Sequence, residues 1–194
     1  PILIYSDLIP DGGELTEFRL VQPVVTGELG WPRYGVTSIL TLNFEAITLE
    51  NGELALGNWG EGFADRRHPH TTVHELMLTW ASPGHRTWQL GAGAGKGFAT
   101  FGTDDPMSRP VVRYPVNHHL AQILERAVVL GQVRWSRVLL EGSLFNGDEP
   151  EEPDQWPNLE RFGDSWAVRA TLTPGDGIEA QASHALVVSP EHRE

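Results

Sequence analysis

Cysteine is absent from the 194 residues. That excludes disulfides, thiolate metal sites and a cysteine nucleophile. It also suits an exported protein that avoids stray oxidation. Basic residues are few: 14 Lys+Arg stand against 26 Asp+Glu, for a formal charge of -12. A surface of that sign repels phosphates, so nucleic acid is not an expected partner. No run of about 18 apolar residues occurs, so no transmembrane helix is expected. A secretory leader and an initiator Met are also missing, since the chain opens at Pro1. The expectation is that processing removed a leader or that this is a piece of a longer protein. Catalytic signatures are lacking too. There is no Gly-x-Ser-x-Gly, and His74-Glu75 is followed by no second His at metalloprotease spacing. Gly91, Gly93, Gly95, Lys96 and Gly97 lack the Gly-Lys-Ser/Thr ending of a phosphate loop. The expectation is a protein that is not an enzyme.

What is present is alternation. In 127–135, Ala127, Val129, Gly131, Val133 and Trp135 form one row, with Val128, Leu130, Gln132 and Arg134 between them. Val138, Leu140, Gly142 and Leu144 alternate with Leu139, Glu141, Ser143 and Phe145. Trp166, Val168, Ala170 and Leu172 alternate with Ala167, Arg169, Thr171 and Thr173, ahead of a Pro174–Gly177 turn. Ile178, Ala180 and Ala182 follow, with Glu179, Gln181 and Ser183 between. A period of two is the strand signature, because successive side chains leave opposite faces. One face is apolar and light; the other carries Arg, Glu, Gln, Ser and Thr. A membrane β-barrel has that pattern, with lipid outside and a polar lumen inside. A half-solvated antiparallel sheet in a soluble protein has it as well. The 21 Gly and 14 Pro suit turns and strands rather than helices.

The same rhythm recurs upstream from Val36. Leu40, Leu42, Phe44 and Ala46 alternate with Thr41, Asn43 and Glu45; Leu76, Leu78 and Trp80 with Glu75, Met77 and Thr79; Trp88, Leu90, Ala92 and Ala94 with Gln89, Gly91, Gly93 and Gly95. Trp80 and Trp88 flank the 82–85 turn, as interfacial aromatics of a barrel or as a cross-strand pair on a soluble sheet. Residues 1–35 are weakly patterned and read as loop with one edge strand. The chain is expected to be a single domain, 1–194, with hairpin repeats over 36–191. Two long connections, 53–72 and 97–122, separate the hairpins; loops of that length are more often functional than idle.

A set of ordered segments adds a resemblance. These are Asp65-Arg66-Arg67-His68-Pro69-His70, Asn117-His118-His119, Glu141-Gly142-Ser143-Leu144-Phe145-Asn146-Gly147-Asp148-Glu149-Pro150, Asp164-Ser165-Trp166 and Ser189-Pro190-Glu191. Together they resemble an uncharacterised family of Gram-negative outer-membrane β-barrel proteins, over residues 36–191. The resemblance implies an antiparallel barrel, the outer membrane as location and the lipid bilayer as partner. It implies no established activity, although some members look associated with metal handling, copper especially. Members are usually longer. This chain also has Thr71 where Asp often follows the second His of their His-Pro-His, and it lacks a final strand ending in an aromatic residue.

The candidate metal ligands are His68, His70, His118 and His119. A residue before Pro is pushed to extended geometry, and residues two apart on an extended segment face the same way. His68 and His70 thus converge, and imidazole suits Cu, Zn or Ni. His118 or His119 is the expected third donor, because the two long connections leave the same hairpin at its two ends. Asp65, His74 and Glu75 are nearby in sequence. The plainer reading is that these imidazoles hydrogen-bond carboxylates or carbonyls and pin a long loop. Asp104-Asp105 and the acidic run 148–154 do not match a calcium loop and read as solvated.

The fold expected is all-β: antiparallel hairpins, about eight to ten strands, forming all or part of an outer-membrane-type barrel. Its function would be porin-like or structural. The alternative is a soluble β-sandwich or small-barrel binding module. Trp166, Val168, Ala170 and Leu172 are expected to face outward, with Arg169 and Thr171 opposite. Arg134 and Arg169 are expected across from Glu141 and Glu179 in their hairpins. The strands are not expected to close a barrel alone, so a remaining barrel segment or other subunits would complete the wall.

Overall fold

The computed structural model describes residues 2–8, 15–21, 24–47, 70–83, 87–102 and 123–189. It is all-β, with no α-helix among the described residues. Ten strands are described: β1 (Ile2–Leu8), β2 (Leu15–Val21), β3 (Val24–Trp31), β4 (Val36–Asn43), β5 (Val73–Ala81), β6 (Trp88–Gly97), β7 (Arg126–Trp135), β8 (Val138–Phe145), β9 (Ser165–Gly175) and β10 (Ile178–Leu186). The first two form a hairpin of their own. The other eight make one antiparallel sheet in strict chain order, β3 to β10. Among the described residues no ladder joins β3 to β10.

The N-terminal segment departs from expectation. Residues 1–35 read as loop with one edge strand, yet β1, β2 and β3 lie there. Val24–Trp31 holds two glycines and a glutamate, too little apolar alternation to register as a strand. It is one because β4 offers it a ladder, from Val24↔Asn43 to Trp31↔Val36. The β3–β4 turn needs its glycine. Gly35 has φ 65°, and a Cβ there would lie 2.1 Å from the Ala81 carbonyl oxygen.

The register sorts the sheet into two faces of opposite character. On the outer face one row runs Leu90↔Val133↔Leu140↔Ala170↔Ala182 across five strands. A second row runs Leu78↔Ala94↔Val129↔Leu144↔Trp166↔Leu186. Most of these side chains are open, Trp135 the most at 67% exposed. On the inner face one row runs Gly91↔Gln132↔Glu141↔Arg169↔Ser183. Trp166, Val168, Ala170 and Leu172 are exposed, Thr171 is buried and Arg169 is half-buried, so β9 has the register its alternation implied.

Two pairings differ from expectation. Arg169 faces Glu141 rather than Glu179. Its Nε and Nη2 donate to the two carboxylate oxygens at 2.6 and 2.9 Å. Across the β9–β10 hairpin it meets Ser183, because Glu179 falls where the register shifts beside the turn. Arg134 lies opposite Leu139, since the two-residue turn at Ser136-Arg137 puts Glu141 against Gln132. Likewise Trp80 and Trp88 are not partners. Trp80 sits opposite Ala92, and Trp88 opposite Trp135 on the next strand.

Part of the inner face is covered by the chain itself. After β6, residues 98–102 run across β8, β9 and β10. Thr100 N donates to Ser143 Oγ at 3.0 Å, Thr100 Oγ1 to the Ala167 carbonyl at 3.2 Å, and Gly102 N to Ser183 Oγ at 3.0 Å. A core of Met77, Ala99, Ile123, Val128, Phe145 and Ala167 packs beneath. Met77 is on β5 and Ala167 on β9. Strands about 4.8 Å apart put them beyond direct contact, and the cluster joins them through Ala99 and the residues between.

The strand ends differ. At one end the connections are short: Pro32–Gly35, Ser136-Arg137 and Asp176-Gly177. At the other lie the long ones, tied by a polar knot. Asp164 accepts from Gly147 N at 2.8 Å, Ser165 Oγ at 2.7 Å and Arg161 Nε at 2.9 Å. Ser165 Oγ in turn accepts from Val188 N at 3.0 Å. Burial pushes the Asp164 carboxyl up, but these hydrogen bonds and the Arg161 charge outweigh it and hold it below its ordinary value. A depressed carboxylate stabilises fully above its unfolded pKa, and that contribution is lost as pH falls through the folded one. Asp164→Asn is therefore expected to destabilise by about 1–3 kcal/mol at neutral pH. In urea titrations the gap from wild type should stay constant down to about pH 5 and shrink below about pH 4.

Candidate functional site

Where β5 and β7 begin and β6 ends, one carboxylate gathers the neighbouring polar side chains. Glu125, directly before β7, is 0% exposed. Its backbone has φ 59°, a left-handed conformation that costs a residue with a Cβ about 1–3 kcal/mol. That twist aims the side chain at residues 70–74. His74 Nδ1 lies 3.0 Å from Glu125 Oε1, and His70 Nδ1 lies 3.3 Å from Oε2. Thr71 donates twice to Oε1, from its backbone N at 2.9 Å and from Oγ1 at 2.5 Å. Lys96, at the end of β6, donates from Nζ to Thr71 Oγ1. The two imidazoles meet edge to face, with ring centroids 5.0 Å apart. Phe98 packs on the His74 ring at 5.7 Å.

Burial alone would push the Glu125 carboxyl up. Hydrogen bonds from His70 and His74, and the charge those rings carry when protonated, outweigh it and hold the carboxyl well below the usual range. The group is thus a buried anion ringed by donors. One donor atom from each of His70, His74 and Glu125 lies within 4.8 Å of the other two. The arrangement can pin the 70–74 segment by hydrogen bonds alone, or it can hold a cation.

A lid of chain from 146 to 157 closes over this end. Thr72 N donates to the Pro153 carbonyl at 2.6 Å. Ala127 N donates to Asn146 Oδ1 at 2.7 Å. Arg126 Nη1 and Glu149 Oε2 pair at 3.2 Å, both nearly fully buried. The Lys96 ammonium stands 5.6 Å over the Trp156 ring. Segments that stand apart in the sequence thus share one end of the sheet: His70, the 146–150 run, Asp164-Ser165 and the Val188-Ser189 tail.

Of the four histidines expected to bind metal, His70 is in this cluster. His68, His118 and His119 lie outside the described residues, and so does the meeting of the two long connections through them. Sequence reasoning placed His74 near the site without assigning it a role, and it missed Glu125. Nothing in Leu124-Glu125-Arg126 marks the carboxylate as special; only its left-handed backbone and total burial do.

The other large feature is a cavity of about 420 Å³ on the inner face. Glu75, Met77, Thr79, Phe98, Phe101, Gln132, Glu141 and Arg169 are among its lining residues. The Arg169–Glu141 pair forms part of the wall, and Arg169 Nη1 also donates to the Gly102 carbonyl at 3.3 Å. That bond ties the inner segment to the strands.

Compared with protein-family models, with curated proteins and with solved structures, the chain matches none.

Thr71 is the joint between Glu125 and Lys96. Thr71→Val keeps its shape and removes the hydroxyl, leaving a buried carboxylate and a buried ammonium each short of a partner. The expected cost is about 1–3 kcal/mol in urea or thermal unfolding, with most of it restored in Thr71→Ser.

Proposed function

We propose that this chain forms the wall of an outer-membrane-type β-barrel, structural or porin-like in role. The observation that carries the reading is the outer face. It is a continuous apolar surface across β4 to β10, left open, on a sheet whose inner face holds the polar and charged groups. Monomers in water rarely expose a patch beyond a few hundred Å². Lipid removes the penalty, and an apolar exterior around a polar interior is how strands cross a membrane.

Three further features support it. Strands β6, β7 and β9 have 10, 10 and 11 residues, the length a tilted strand needs to cross roughly 30 Å of hydrocarbon. Short turns at one end and long connections at the other follow the barrel habit. Trp31, Trp80, Trp88 and Trp135 lie toward the short-turn end, with Trp166 toward the other, as aromatic girdles do. The segment 98–102 would narrow the lumen, which favours a structural or tightly gated role over an open pore. Strands from a further segment or from other subunits would complete the wall between β3 and β10. A soluble sandwich would need a second layer over the apolar face, and none is present among the described residues.

The chain should fractionate with membranes and need detergent to stay monodisperse. A monodisperse species with full strand content in detergent-free buffer would overturn the reading. Substitution at Ala170, mid-strand on the outer face, separates lipid from water directly. Ala170→Arg should cost about 2–4 kcal/mol in a refolding titration into bilayers, while Ala170→Leu costs little. On a water-facing surface both changes would fall within about 0.5 kcal/mol.

A further inference from the structure

We propose that His70, His74 and Glu125 form a binding site for a divalent cation of the zinc class, with the fourth position left to water. The inference stands apart from the membrane reading, because the cluster lies at the strand ends and is built by side chains alone.

The donor set comes first. Two imidazoles and a carboxylate are borderline ligands that suit Zn²⁺, whereas Ca²⁺ and Mg²⁺ prefer all-oxygen shells. Spacing agrees. Around a tetrahedral ion with bonds of about 2.0–2.1 Å, ligand atoms stand roughly 3.3 Å apart. His74 Nδ1 lies 3.0 Å from Glu125 Oε1 and His70 Nδ1 lies 3.3 Å from Oε2, the two oxygens of one carboxylate, and one donor atom from each residue lies within 4.8 Å of the other two. Closing the cluster on an ion therefore needs the two rings to turn toward one of those oxygens.

The carboxylate is also prepared. The Lys96 ammonium is held one link back on Thr71 Oγ1, so no direct ion pair with it occupies the Glu125 oxygens. Thr71 N and Oγ1 both bond Oε1, which fixes the carboxylate plane from behind, as outer hydrogen bonds do for a metal-binding carboxylate. The left-handed backbone at Glu125 is the second, independent sign. Strain of that kind gathers at ligand clamps, and pinning a loop does not require it.

Entry of the ion replaces two N–H···O bonds by two N–metal bonds. A neutral imidazole then carries its proton on Nε2 instead of Nδ1, and an imidazolium releases its Nδ1 proton to solvent.

The test is calorimetric titration of Zn²⁺ into the full chain, in whatever detergent or buffer keeps it monodisperse. It is paired with Co²⁺ as a visible-absorption probe of tetrahedral geometry. One saturable site with a strong tetrahedral cobalt spectrum is expected. His74→Ala and Glu125→Gln should each weaken it roughly 100-fold or more, since even outer-shell losses cost 10–100-fold. His184→Ala, an exposed histidine against Trp166 on the outer face, should leave it unchanged. If His74→Ala loses its strand signal in circular dichroism, His74→Gln, which retains volume and a donor, takes its place. No saturable site in wild type, an octahedral cobalt spectrum, or binding that survives both substitutions would overturn the proposal. In that event the cluster is a hydrogen-bonded pin.

Discussion

Polar groups enclosed on the inner side of the sheet and at its long-loop end have to find their partners there. That constraint organises the structure. The sheet turns its apolar side outward, so the interior that would normally hold Leu and Ile holds Glu141, Arg169, Ser143 and Thr100 instead. Residues 98–102 cross this face, and an unmet polar atom buried beneath them costs about 1–3 kcal/mol. The result is pairing by direct contact: Arg169 on Glu141 through two bonds, and Thr100 on both Ser143 and Ala167. The apolar core that remains is small. It sits where the returning chain meets β5, β7, β8 and β9.

The same rule explains why the distinctive segments meet at one end. At the short-turn end two to six residues reverse the chain. At the other end the long connections leave and rejoin the sheet, and the backbone groups of their described residues need partners there. Asn146, Glu125, Asp164 and Ser165 supply side-chain acceptors for backbone amides there. A segment such as Glu141–Pro150 therefore has a structural reason for its composition. Phe145 fills the core, Asn146 caps the start of β7, Gly147 passes too close to Val188 for any side chain, and Glu149 meets Arg126.

Glu125 stands out against this background. Most polar pairs here lie on adjacent strands or adjacent turns. Glu125 instead draws in residues 70–74 from more than fifty positions away, and it does so from a backbone conformation that has to be held in place by its surroundings. Hydrogen bonding to Thr71 accounts for one oxygen. The pair of imidazoles on the same carboxylate is what turns a loop anchor into a candidate ligand set.

The period of two determined a great deal without coordinates. It assigned strands β5 to β10, put Trp166, Val168, Ala170 and Leu172 on one face and Arg169 on the other, and marked the opposition of apolar and polar faces. These are local consequences of the pleat, so local sequence carries them. Pairing partners were a different matter. Arg169 on Glu141 rather than Glu179 depended on where the register shifts, and Trp88 on Trp135 depended on which strand comes next in space. β3 was invisible because its ladder with β4, more than its own composition, makes it a strand. The site followed the same division. His70 was legible from its spacing to a proline, and His74 from its proximity. Glu125 was not, because a carboxylate becomes a hub only when remote segments close over it, and burial is a property of the folded chain.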